Sequence, residues 1–357
     1  MKNYLWVLLI LIVVYGCQTD KTDTITLQRI EPKITTEPVK HDTDDPAIWI
    51  NPDDPAASLI LGTDKDEDGA LYVFDLEGKI IEDKVVRNLR RPNNVDLEYG
   101  LMLNGVSTDI AVLTERLANK IRVLSVPDMQ FVDNGGIDVF EGDSLRAPMG
   151  IALYKRPSDG AIYAIVGRKS GPQQGYLWQY RLGDDGSGNV TGVKVREFGI
   201  WSGLKEIEAI AVDDELGYVY YSDENVGVRK YYADPDMPDA NTELALFAKE
   251  GITDDREGIS IYTTSDSTGY ILLSDQQANE FHIFKREGEP GAPHVHNLVK
   301  VVAVSTNESD GSDATSVALN AMFPAGMFVA MSDNRTFQYY SWQDIAETGE
   351  PKLDSRK

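Results

Sequence analysis

One hairpin pattern recurs six times along the chain: an apolar β-rich run, a small residue followed by a charged one, a polar turn, and a second β-rich run. The copies read LILGTDKDEDGALYVF, DIAVLTERLANKIRVL, IYAIVGRKSGPQQGYLWQY, YVYYSDENVGVRKYY, YILLSDQQANEFHIF and MFVAMSDNRTFQYY. Their charged turn residues are Asp64, Glu115, Arg168, Asp223, Asp275 and Asp333, which sets a period of 51 to 58 residues. A strand-built repeat of that length is one supersecondary unit that buries its faces only against its neighbours, which is how propeller blades behave.

Upstream of each hairpin lies a further short strand-like run: DDPAIWI, NNVDLEYG, APMGIALY, EIEAIAVDD, REGISIY and ATSVALN. Alternation such as Ile259 with Ile261 and Ala209 with Ala211 suits strands with one buried face. Three strands per period are visible, and the weaker stretches between leave room for a fourth. The expected fold is therefore all-β, a six-bladed β-propeller with four antiparallel strands per blade. No stretch has helical periodicity long enough for the crossovers of a parallel sheet. Little chain follows the sixth hairpin, so TITLQRI, Thr24 to Ile30, is expected to supply the last blade's missing strand and close the ring. Residues 24–357 then form a single domain.

Ahead of it, Met-Lys-Asn-Tyr precedes an apolar run from Leu5 to Val14 and then Tyr15-Gly16-Cys17. That layout reads as an export signal over residues 1–16, too short for a stable membrane span. Cys17 is placed to become the lipidated first residue of a lipoprotein, with residues 17–23 as its tether. The expectation is export to the bacterial cell envelope, with the membrane touched only through the lipid, and Gln18 fits outer-membrane sorting. Cys17 is the single cysteine, so disulfides and a thiol nucleophile are excluded. The net charge of −24 repels nucleic acid and anionic lipid. A closed ring has no free blade edge demanding a partner, so a monomer is expected.

In a propeller the innermost strands line a channel, and residues at one end of them converge. Five of the six ends are acidic: Asp42, Asp44 and Asp45; Asp96; Glu206 and Glu208; Asp254, Asp255 and Glu257; Asp310 and Asp313. Any one of these is explained as a turn former. The set in register is not, because so many carboxylates crowd together only with counter-charge, and oxygen-rich clusters suit calcium. Cations punctuate blades one to three at Lys65, Arg116, Arg168 and Lys169, whereas blades four to six carry Asp223, Glu224, Asp275 and Asp333 there. A phosphate clamp facing a metal cluster has this division.

The runs DDPAIW (44–49), NNVD (93–96), IEAIAVDDELG (207–217), the acid of YYSDEN (220–225), the acids of DREG (255–258) and SDG (309–311) resemble the β-propeller phytases, from about Asp42 to Ala346. The resemblance implies six blades and several calcium ions, some structural and some catalytic. It further implies phosphomonoester hydrolysis of inositol hexakisphosphate (phytate), of the 3-phytase type, by attack of a metal-bridged water. By position it makes Glu208, Glu224, Asp255, Glu257 and Asp310 calcium ligands, with Asp45 and Asp96 as further acidic candidates. Lys65 and Arg116 become the cations of the cleavage site and, with Glu208 and Glu257, the catalytic set; Arg168 and Lys169 are further phosphate-binding candidates. The chain departs from the family pattern at Pro148 and Met149, where an acid and a tyrosine are expected, at Arg168 and Lys169, and at Asp313-Ala314-Thr315.

Two other functions fit the same fold. A calcium-dependent lactonase would keep metal and channel without converging cations, and a surface-anchored binding propeller would keep the basic rim while losing metal ligands. Asp64, Asp66, Asp68 and Gly69 partly match a calcium loop. They sit in a hairpin without flanking helices, which favours a turn that presents Lys65. His294 and His296 alternate on one face but lack further ligands nearby, which favours packing. No Ser-Asp pair lies in a nucleophile elbow.

Overall fold

The computed structural model describes residues 27–356. Each repeated hairpin is the second and third strand of one sheet. In the fourth copy, for example, Tyr218–Asp223 pairs antiparallel with Gly227–Tyr232, from Tyr218 opposite Tyr232 to Asp223 opposite Gly227. Six sheets result, each with the upstream run as its innermost strand. The inner strands are Thr43–Trp49, Pro92–Leu103, Pro148–Lys155, Ile210–Asp213, Arg256–Thr263 and Ser312–Thr315. Together the sheets form a six-bladed β-propeller, with one short helix, Trp342–Glu347, near the C-terminus.

The core is divided as the repeat demands. Each of six apolar clusters lies at a junction between successive blades, and the sixth returns to the first. Between blades one and two, for instance, Leu61 and Val73 pack with Ala111, Leu113 and Leu124. A blade lifted out of the ring would expose both faces, so burial of apolar area acts at the level of the ring rather than the blade.

Ring closure differs in detail from the expectation. The outer strand of blade six is Ile34–Thr35, antiparallel to Tyr339 and Gln338, and not the segment ending at Ile30. Arg29–Ile30 instead runs parallel to Ala303–Val304 and extends the outer edge of blade five. Ile30 is buried in the apolar cluster between blades five and six, so its hydrophobicity serves that contact. Three residues, Glu31-Pro32-Lys33, then carry the chain across to blade six. The export signal, Cys17, the tether and Thr24 to Thr26 lie outside the described residues.

The inner strands share a local irregularity that positions the site. Pairing with the second strand slips between Thr43 and Pro46, between Pro92 and Val95, between Pro148 and Ile151, and between Arg256 and Ile259. Such a bulge re-aims side chains by breaking the strict alternation of a strand. In blade one it lets two consecutive residues, Asp44 and Asp45, both point inward: Asp44 meets Lys65 at the rim, and Asp45 lines the channel. Asn93 and Asn94 divide in the same way in blade two.

Candidate active site

The start of the inner segment brings one residue to the rim of the channel in five blades, Asp44, Asn93, Glu208, Glu257 and Asp310; in blade three the equivalent register position is the buried Met149. Two glycines permit this convergence. A Cβ on Gly150 would lie 1.9 Å from the Glu208 carbonyl oxygen, and one on Gly311 would lie 2.5 Å from Asp45 Oδ1. Neighbouring inner strands therefore approach more closely than any side chain allows.

At the blade one side, the Lys65 ammonium bridges Asp44 Oδ1 at 2.5 Å and Asp310 Oδ2 at 3.1 Å. Burial alone would lower the Lys65 pKa, but Asp44, Glu208 and Asp310 overcome it and hold the ammonium well above its usual range. Asn93 Nδ2 donates to Asp44 Oδ2 at 2.9 Å and to Glu208 Oε1 at 2.8 Å, tying blades one, two and four together. Arg116 is partly buried nearby; desolvation lowers its pKa against the raising fields of Glu208 and Asp44, and no ion pair engages its guanidinium among the described residues. A desolvated cation aimed at acids in this way can receive an anionic group from solvent.

On the opposite side Lys205 bridges Asp255 Oδ2 at 2.5 Å and Glu224 Oε2 at 3.2 Å. Asn225 and Gln277 also donate to Asp255, at 3.1 and 2.8 Å. Glu257 is fully buried, and its Oε2 has no hydrogen-bond partner. Its pKa is pushed far up by burial and then by the neighbouring Glu224 and Glu208. Burial likewise raises Glu208 to about 8, with Asp44 adding to the shift, Glu224 to about 7 and Asp310 to about 6. Glu206, Glu208 and Glu224 offer oxygens that lie within 4.8 Å of one another. An all-oxygen set with a buried carboxylate oxygen lacking a donor fits a hard divalent cation, because such a cation supplies the missing positive charge.

Asp45 and Asp96 stand apart from this rim. Both line a channel cavity of about 140 Å³ with Asp313. Each carboxylate accepts a backbone N–H from the next blade: Asp313 from Ile48, Asp45 from Val95 and Asp96 from Leu153, at 2.8, 3.1 and 2.7 Å. Burial pushes Asp96 to about 7, Asp313 to about 6 and Asp45 well above the usual carboxylate range.

The cations of blade three separate. Lys169 occupies the rim position that Lys65, Arg116 and Glu224 hold in other blades, and its ammonium pairs with Glu206. Arg168 does not reach the rim, which corrects its assignment as a phosphate ligand. It is fully buried, with Nη1 donating to Asp143 at 2.5 Å and to the Leu145 carbonyl at 3.2 Å, and it stacks over Phe140 at 4.4 Å. Its place in the strand corresponds to Asp64, Glu115, Asp223 and Asp275, whose side chains point away from the channel, so alternation turns it outward. Asp64 likewise accepts from the backbone of His41 and Asp42, leaving the following turn to present Lys65. His294 packs edge-on to Tyr218 and His296 against Phe247, in keeping with packing roles.

Residues 4–356 match the Phytase family. The chain belongs to the phytase family. A 3-phytase of Bacillus subtilis (strain 168) is 31% identical over 322 residues, covering 85% of this chain and 80% of the relative. Within this phytase fold, two rim residues carry no site signal in the sequence, and a third, Asp44, is not distinguished there from Asp45. Asn93 is neutral and carried no charge signal; Lys205 precedes the strand in a loop; Asp44 was seen as an acid but not separated from Asp45, because alternation alone sends consecutive residues to opposite faces.

Proposed function

We propose that this chain is a calcium-dependent phosphomonoester hydrolase acting on myo-inositol hexakisphosphate. The observation that carries the reading is the rim itself: Lys65, Arg116 and Lys169 from blades one to three face Glu208, Glu224, Asp255, Glu257 and Asp310 from blades four to six. Neither a lactonase nor a simple anion-binding surface requires both halves.

Asp44, Glu208, Glu224, Asp255, Glu257 and Asp310 are the residues that would hold calcium. When bound, calcium neutralises phosphate oxygens and makes a nearby water more acidic. The protein's own groups do the remainder. Arg116, whose guanidinium has no ion-pair partner among the described residues, would receive one phosphate oxygen, and Lys65, held at the rim beside Asp44 and Asp310, would receive a second. These fixed charges favour the transition state, in which charge on the transferred group is redistributed. Asn93 keeps Asp44 and Glu208 in register. Lys169 offers a further positive charge at the edge for a neighbouring phosphate of the same polyanion. Export and lipidation at Cys17 complete the proposal and are supported by the leader's residue pattern; Cys17→Ser should release the protein from membranes. A monomer is proposed from ring closure.

The test is phosphate release from phytate with and without calcium, with Lys65→Ala as the control. Calcium-dependent release that falls roughly 10²–10³-fold in the variant is expected. Tight phytate binding with no release would replace this reading by the binding propeller.

A further inference from the structure

A second cluster of metal-ligating side chains lies on blade five, one layer outward from the rim. Asp275 ends the second strand, and Glu280 and His282 lie on the third, with Asp275 paired opposite Glu280 and Leu273 opposite His282. One ligand atom from each falls within 4.8 Å of the others. Asp275 and His282 are both buried, and two of their polar atoms, Asp275 Oδ1 and His282 Nε2, have no hydrogen-bond partner.

Two other blades, the second and the fourth, fill this place with an arginine. In blade two Glu115 ends the second strand, and Arg122, opposite Leu113, reaches back to it at 3.4 Å. In blade four Asp223 ends the strand, and Arg229, opposite Tyr221, pairs with it at 2.9 Å. His282 occupies the equivalent position, opposite the residue two before Asp275. The arginine of blades two and four is thus exchanged for imidazole, and a carboxylate, Glu280, stands beside it. Where Arg229 of blade four gives Asp223 two N–H groups, blade five has a ring whose Nε2 lies 3.6 Å from Asp275 Oδ2, beyond hydrogen-bond range.

We propose that Asp275, Glu280 and His282 form a binding site for a transition-metal dication of the zinc class, separate from the calcium-type rim. One imidazole nitrogen and two carboxylate oxygens are a borderline donor set that such ions accept with a coordination position left open. All-oxygen rim acids select differently. A hydroxyl and a backbone amide already hold one ligand in place: Asp275 Oδ2 accepts from Thr253 N at 2.9 Å and from Thr253 Oγ1 at 3.2 Å, which fixes the carboxylate, while Oδ1 has no partner. Glu280 is half-buried, which gives an ion a way in.

Calorimetric titration of the full chain with zinc chloride, in excess calcium so that the rim is loaded, tests the site. One equivalent of zinc is expected to bind, and His282→Arg, which restores the pairing used by Arg229 and Asp223, should fold normally and lose that equivalent. Should His282→Arg fail to fold, Glu280→Gln replaces it, with affinity expected to fall at least about tenfold. Cobalt(II) should give a visible absorption band that the same variant removes. No zinc uptake in excess calcium, or uptake unchanged in the variants, would overturn the site and leave His282 as a neighbour of Asp275 only. Phytate hydrolysis under calcium alone is read separately, so failure here leaves the rim untouched.

Discussion

Rim and channel are both built from buried carboxylates, yet they solve the same electrostatic problem differently. In the channel Asp45, Asp96 and Asp313 each spend one oxygen on a backbone N–H of the next blade, so the groups are fixed as staples between blades. At the rim Asp44, Asp310, Glu224 and Asp255 lean on two lysine ammonium groups carried by flexible stems, and Glu257 keeps one oxygen without any donor. A backbone donor stays put when solution conditions change, whereas an ammonium can yield to another cation. The contrast separates acids that hold the ring from acids that exchange ligands.

The largest effect that this contrast implies is on turnover. Glu208→Gln should lower phosphate release from phytate at saturating calcium by roughly 10²–10³-fold, with the calcium-loaded melting temperature nearly unchanged. Asp96→Asn keeps an oxygen for Leu153 N and should do the reverse, changing stability more than rate. Equal losses of rate in the two variants would erase the division between rim and channel.

Calcium removal comes next. At calcium a thousandfold above its Kd, one bound ion contributes about 4.1 kcal/mol, so EDTA should lower the melting temperature by several degrees. The EDTA response should shrink in Asp96→Asn if the channel also holds an ion.

The pH response of the stripped protein sharpens the comparison further. The channel and rim acids have folded pKa values raised by burial, Asp96 to about 7, Asp313 to about 6 and Glu208 to about 8, so the folded state binds more protons than the unfolded one. Their contribution is greatest at acid pH and is lost as pH rises through the window of about 6 to 8. In EDTA the melting temperature should therefore fall from pH 6 to pH 8, and calcium should flatten that slope. A melting temperature that rose over this range without calcium would contradict the assignment of protons to these acids.

The smallest effect concerns blade three. Lys169→Ala removes an exposed cation and should raise KM for phytate a few-fold without changing the melting temperature, while Arg168→Ala, which empties a buried site over Phe140, should cost about 3 kcal/mol of stability and leave KM alone. Thermal melts and initial rates on both variants decide it.

Hairpins were readable because each places a small residue and a charge at its turn, and their spacing alone implied six blades. Outer strands were not, since pieces as short as Gln130–Phe131 and Ile34–Thr35 carry no alternation to detect. For the same reason the longer run Thr24 to Ile30 looks more like a closing strand than Ile34–Thr35 does. Acids of the rim were legible as a recurring charge. Their division between rim and channel depends on the bulges, which the sequence does not display, and the charge of Arg168 suggests a rim role that its strand parity denies. Blade three has the buried Met149 where the other five have a polar rim residue, a departure visible beforehand only through the resemblance.

The bulges make the dipeptide the unit in which this site is written. Asp44-Asp45, Asn93-Asn94, Met149-Gly150 and Glu257-Gly258 are four two-letter words, the first letter addressed to the rim and the second to the channel. Where the second letter is Gly150, the Glu208 carbonyl leaves it no substitute. At Gly258 a Cβ would meet the Asp310 carbonyl oxygen and Ser312 N at 3.0 Å, so that second letter is held small as well. Deleting one letter would instead restore plain alternation and swap the two addresses, so the reading frame of each bulge matters as much as the residues placed in it.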